Sequence, residues 1–254
     1  MVRRNTGSFC FHARHGSLPI RRVNPTELPL VLLPGLHGSV RLFDDVVGAL
    51  RNHFPHRKFL PLPLPPDTPQ DYPSLRDYFI GRLERIGPFV LLAESFSAPL
   101  ALHLAASPRL ALRRLILAGA FCHAPRCAAI RLLPLRGIFS LRPPAQAIRH
   151  FLTGKHSSKQ LVDSVRSEIQ LTGGEVLAAR VRVMLSLTED ELPPVPQIPV
   201  LLLQANRDAL LPKEARATLE SHFPDARIEH IDAPHLLLQT APEACAEAIA
   251  QFIR

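Results

Sequence analysis

A serine, an aspartate and a histidine occur in this chain in an order and setting that suit nucleophilic chemistry. Ser95 lies in "AESFS" (93–97), between the apolar run "FVLLA" and a helix-like run. Asp208 lies in "NRDALLP", just past the apolar run "IPVLLLQA" (198–205), and His235 lies in "APHLLLQTAP", just past "RIEHID" (227–232). A serine hydroxyl is a poor nucleophile unless a base takes its proton and an acid orients that base. Three such side chains, each placed beyond the end of a different strand, make a candidate catalytic set of Ser95, Asp208 and His235. Asp232 is the rival acid, but three residues before His235 it is too close along the chain to reach around the ring.

The spacing around Ser95 matches a strained strand-to-helix turn of the form G-x-S-x-G, which lifts a serine out of the core. Ala93 and Ser97 stand where that pattern has glycine; both are small, and Pro99 falls in the first helical turn, where its missing N–H is not needed. Glu94 is carried to the same sheet edge, which explains a carboxylate beside an apolar run. Acyl chemistry also needs donors for a developing oxyanion. The backbone N–H of Phe96, at the start of the helix, and that of Leu36, in "PGLHGS" (34–39), are the candidates; Gly35 and Gly38 let that loop bend close to a ligand. His37 reads as a solvent-exposed loop residue.

The elements that must position these groups follow from periodicity. "LPLVLLP" (28–34), "KFL" (58–60), "FVLLA" (89–93), "LRRLILAGAF" (112–121) and "IPVLLLQA" are strands, the longer ones apolar enough to be buried on both faces, and "RIEHID" is a further strand. Helical spacing covers 40–53, 72–86, 96–106, 213–222 and 242–253. This alternation predicts an α/β fold with a mostly parallel central sheet flanked by helices. Between 122 and 192 no buried strand is apparent, and helical patterns at 144–152, 158–170 and 174–187 predict a helical cap (lid). The expected division is a core of 1–121 and 193–254 with a cap of 122–192; a hairpin over 8–24 turns at His15-Gly16.

Bulk properties narrow the function. The 254 residues suffice for one large domain, and no run approaches the roughly 20 apolar residues of a membrane span. The first residues are basic without an apolar stretch, so no secretory signal is read, and Cys10, Cys122, Cys127 and Cys245 read as reduced cytoplasmic thiols. "CHAPRC" (122–127) lacks the spacing of a metal loop, so no metal is expected. With two Tyr, no Trp and no helix-turn-helix, RRM or zinc-finger pattern, nucleic acid is not an expected partner. The net charge of +8 gathers between Arg109 and Arg182, where 13 Lys plus Arg meet 3 acids, a field that suits an anionic substrate or a solvated face.

Taken together, "LVLLPGLHGS", "LLAESFSAPLALHLAA", "LLLQANRDALLP" and "DAPHLLLQTAP" resemble the α/β-hydrolase superfamily over about residues 28–253, in the manner of lidded bacterial serine esterases. The resemblance implies an eight-stranded-type sheet with a helical cap and no cofactor. It makes Ser95 the nucleophile, Asp208 the acid, His235 the base, and Leu36 and Phe96 the oxyanion donors. The expected activity is cleavage of a small-molecule carboxylic ester or thioester through an acyl-enzyme. Acyl transfer to an alcohol and a non-catalytic ligand-binding role are the alternatives.

Overall fold

The computed structural model describes residues 27–123, 134–188, 192–194 and 197–254. Six strands form one sheet among them: β1 (Leu30–Leu33), β2 (Phe59–Pro61), β3 (Phe89–Glu94), β4 (Leu112–Ala118), β5 (Val200–Ala205) and β6 (Arg227–Ile231). Their order is β2-β1-β3-β4-β5-β6 and every pairing is parallel. The sheet is thus six-stranded among the described residues, where the resemblance implied an eight-stranded type.

The apolar runs are continuous because both faces are covered. Alternate residues feed two cores. Val31, Leu33, Leu91, Leu115, Leu117 and Leu202 pack toward α2 (Tyr72–Leu83) and α3 (Ser97–Ala105). Leu30, Leu32, Val90, Leu92, Ile116 and Leu203 pack toward α1 (Asp44–His53) and α10 (Pro242–Ile253). Strand order reverses direction between β1 and β3, so the loops leaving their carboxyl ends lie side by side, the usual ligand position in open parallel sheets.

Between β4 and β5 the described residues include four helices: α4 (Leu135–Ser140), α5 (Ala145–Ile148) continued by a wider π-type turn (Arg149–Thr153), α6 (Lys159–Thr172) and α7 (Gly174–Ser186). These helices pack through Ile148, Val162 and Val165 on one side and Leu135, Ala178, Val181 and Leu185 on the other. α8 (Lys213–His222), α9 (Leu237–Thr240) and α10 complete the chain. Helices α4 and α9 were not anticipated, since one turn and a half carries too little periodicity to read. The strand expected over 112–121 ends at Ala118, because Gly119 turns the backbone into the left-handed region (φ 55°). The hairpin expected over 8–24 lies outside the described residues. No described helix is long and apolar enough to cross a membrane.

Candidate active site

Ser95 follows directly on β3 and has φ 48°, the only non-glycine residue in the left-handed region among those described. Such a conformation costs of order 1–3 kcal/mol and persists only where its surroundings enforce it. Here they do. The Ser95 N–H donates to the Ala118 carbonyl (2.9 Å), the Ala98 N–H donates back to the Ser95 carbonyl (2.9 Å), and α3 begins at once. Ala93 and Ser97 are fully buried, so small side chains fit where glycine was expected. Ser97 does more than fit: its hydroxyl donates to the Pro34 carbonyl at 2.6 Å, tying the turn to the loop after β1.

The three expected side chains converge. Ser95 Oγ lies 3.0 Å from His235 Nε2, and His235 Nδ1 lies 2.8 Å from Asp208 Oδ2. The other Asp208 oxygen accepts the backbone N–H groups of Leu210 (2.8 Å) and Leu211 (2.9 Å). Burial raises the Asp208 pKa, but the His235 hydrogen bond and charge and the two N–H groups outweigh it, so the carboxyl is held below its ordinary range. Asp232 points away: its side chain is 80% exposed and pairs with Arg207 Nε at 2.7 Å.

On the other side of Ser95 lies the loop after β1. Among the described residues, neither the Leu36 nor the Phe96 backbone N–H has a protein acceptor. Glu94, 1% exposed, is not at the surface of the sheet edge but beneath it. Its carboxylate accepts the Gly35 N–H (3.0 Å) and the Gln239 amide (2.8 Å). Desolvation pushes its pKa up; His37, Gln239 and Gly35 together bring it below the ordinary value. His37 corrects the sequence reading. It is buried, its Nδ1 accepts the Ser39 N–H (3.1 Å), and its Nε2 faces Glu94 at 3.7 Å, because the loop folds inward over the carboxylate.

Ser95 and His235 open onto a cavity of about 90 Å³ walled by apolar side chains, including Leu36, Phe139, Leu152, Val165, Ile169 and Leu177. It is small against the roughly 300–1,000 Å³ of drug-sized sites. A larger hollow of about 480 Å³, beside Leu112 and Ile198 at the opposite edge of the sheet, is lined by no ionisable group. The inter-strand helices supply Phe139, Leu152, Val165, Ile169 and Leu177 to the cavity wall, and the Leu152 carbonyl in the π-type turn accepts the Leu236 N–H (3.0 Å) next to His235.

Two residues at the site escaped the sequence reading. Gln239, on α9, is four residues past His235 and reaches Glu94. Arg180, on α7, is 1% exposed; its Nη1 donates to the Leu36 carbonyl (2.7 Å) and its Nε to Gln70 Oε1 (2.7 Å). The available signal for Arg180 was a lone charge among Leu177, Ala178 and Val181 on a helix otherwise turned inward. Cys122 is buried, and Cys127 lies outside the described residues.

Comparison with known proteins agrees with this architecture. A model of the Alpha/beta hydrolase family matches residues 30–248. No curated protein sequence matches the chain. Among solved structures, bromoperoxidase from Bacillus anthracis superposes with a TM-score of 0.75 at 15% identity, covering 89% of this chain and 91% of that one. An esterase from Exiguobacterium antarcticum gives 0.73 at 15% identity over 89% and 91%. A thermophilic esterase from Thermogutta terrifontis gives 0.70 at 21% identity over 89% of each chain. With the parallel sheet, the strained turn and a family match over most of its length, the chain belongs to the α/β-hydrolase family.

Proposed function

We propose that the protein is a serine hydrolase that cleaves carboxylic esters or thioesters of small, apolar acids. The observation that carries this reading is the hydrogen-bonded line from Asp208 through His235 to Ser95, which opens onto an apolar cavity of about 90 Å³. His235 Nε2 takes the Ser95 proton as Oγ bonds to the acyl carbon. The carbonyl π electrons move to oxygen, where the Leu36 and Phe96 N–H groups receive them. Collapse breaks the bond to the leaving alkoxide or thiolate, which His235 protonates. Water then attacks the acyl-enzyme by the same path, releasing the acid and restoring Ser95. Asp208, held ionised by its two backbone donors, orients the ring and stabilises it while protonated.

The helices between β4 and β5, within 122–192, serve as a lid over the core of 1–121 and 193–254, because they wall the cavity. The esterase likeness of two structural neighbours is consistent with this chemistry. The test is a fluorophosphonate probe followed by an ester and thioester panel of increasing acyl length, with product analysis in the presence of an alcohol. Labelling at Ser95, lost in Ser95→Ala, and a preference for acyl groups of a few carbons are expected. Labelling at another residue, or undiminished turnover by Ser95→Ala, overturns the assignment.

A further inference from the structure

Arg180 is an anomaly for a protein interior. A buried guanidinium is expensive unless its charge and donors are matched. Among the described residues no carboxylate pairs with it, and desolvation lowers its pKa to about 10. Its donors go to the Leu36 carbonyl and to Gln70, whose own amide donates to the Pro65 carbonyl (2.9 Å). Its guanidinium carbon also lies 5.9 Å from the centre of the Phe96 ring, within cation–π range. One side chain of the inter-strand helices therefore reaches both Leu36 and Phe96, the two residues beside Ser95 whose N–H groups lack a protein acceptor among the described residues.

The opposite side of the same loop is held by the opposite charge. Glu94 accepts the Gly35 N–H, so the Leu36 N–H lies between two gripped peptide groups, one bound by a carboxylate and the next by a guanidinium. Gly38, at φ 72°, leaves room for this: a β-carbon there would collide with the Arg180 guanidinium. Thr172 adds a second tie from the helices, its hydroxyl donating to the His37 carbonyl at 2.5 Å.

We propose that Arg180 is a positioning residue that, with Glu94, fixes the orientation of the Leu36 N–H, so that the oxyanion site is complete only when α7 is seated on the loop after β1. The inference rests on reading Ser95 as the nucleophile. It assigns Arg180 no contact with substrate. Losing its grip lets the Leu36 peptide turn, which weakens the hold on a tetrahedral oxyanion while leaving the acyl cavity in place.

The test compares wild type with Arg180→Met, Arg180→Lys and Arg180→Ala. Readouts are kcat and KM on a short-chain ester and the affinity of a trifluoromethyl ketone, which forms an anionic adduct with a serine hydroxyl. In Arg180→Met, kcat falls about 10–100-fold, less than the roughly 10²–10³ of deleting an oxyanion donor outright. KM changes little, and trifluoromethyl ketone affinity falls in proportion to kcat. Arg180→Lys retains an intermediate share, and millimolar guanidinium partly restores Arg180→Ala. A merely structural arginine lowers thermal stability while leaving kcat and ketone affinity within about twofold per folded molecule, and that result overturns the proposal. Should Arg180→Met fail to fold, Gly38→Ala perturbs the same contact from the loop side, with the same expected and overturning outcomes. Absence of fluorophosphonate labelling at wild-type Ser95 instead overturns the nucleophile assignment, and with it this proposal; labelled wild type with unchanged variants overturns the proposal alone.

Discussion

The two sides of Ser95 each hold a buried carboxylate, and the two are used differently. On one side Asp208 meets a histidine ring that can carry a proton; on the other Glu94 meets a backbone N–H and a side-chain amide, with His37 facing it at 3.7 Å. Both carboxyls are held below the ordinary acid range against the upward push of burial. The same desolvated charge thus holds an imidazole in one place and the main chain in the other. A lowered pKa alone does not distinguish the roles; the identity of the partner does.

The largest effect expected from this contrast is chemical. Replacing Asp208 with Asn keeps the shape but lets the amide favour the wrong ring tautomer, and turnover should fall by about 10⁴, as in the serine-protease precedent. Folding should be retained. Measured kcat within tenfold of wild type would mean that Asp208 is no more catalytic than Glu94 and would erase the distinction.

Next in size is a structural effect on the other side. Glu94→Ala strips the Gly35 N–H and the Gln239 amide of their acceptor, and each buried group left unpaired costs about 1–3 kcal/mol. Chemical denaturation should show a loss of that order, larger than for Asp208→Asn. Acid titration sharpens the point. A carboxyl whose folded pKa is depressed leaves the unfolded chain binding more protons, so its stabilisation is complete above the unfolded value of about 4 and disappears as pH falls through the lower folded value. Both carboxyls act in this direction, so stability should fall steeply below about pH 4, and the slope should flatten in Glu94→Gln and in Asp208→Asn. A slope unchanged in either variant would show that its carboxyl is not coupled to folding.

Much of this was legible in the sequence, for reasons that also mark where legibility ends. Strands buried on both faces announce themselves as apolar runs, and α8 and α10 lie at 213–222 and 242–253 as their periodicity predicts. Ser95, Asp208 and His235 could be grouped as a candidate set because each lies just past the end of a strand. His37 could not be placed, since an inward-folding loop leaves no periodic trace and its partner Glu94 is 57 residues away in sequence. The basic stretch was readable only as a sum. In the fold it divides: Arg113 and Arg114 lie at the start of β4, away from Ser95, Arg136 pairs with Glu175, Arg166 with Asp163, and Arg180 is buried. A count of charges does not reveal which of them share a face.

The smallest expected effect is the control for the whole comparison. Asp232 is a third carboxylate near His235, but it is 80% exposed and its partner Arg207 is 58% exposed. Exposed pairs contribute about 0–1 kcal/mol, and salt screens them further. The loops they join are tied independently through the backbone, by Asn206 N–H to the Ile231 carbonyl (2.9 Å) and Arg207 N–H to the Ala233 carbonyl (3.0 Å). The Arg207 guanidinium also donates to the Asp232 carbonyl, a bond that survives loss of the side-chain charge. Asp232→Asn should therefore change kcat/KM by less than about threefold, an energy within the range of an exposed pair. A loss of orders of magnitude in Asp232→Asn, alongside a mild Asp208→Asn, would mean that the loop after β6 rearranges in solution to present the exposed acid to the ring, and that burial is the wrong guide to which carboxylate serves His235.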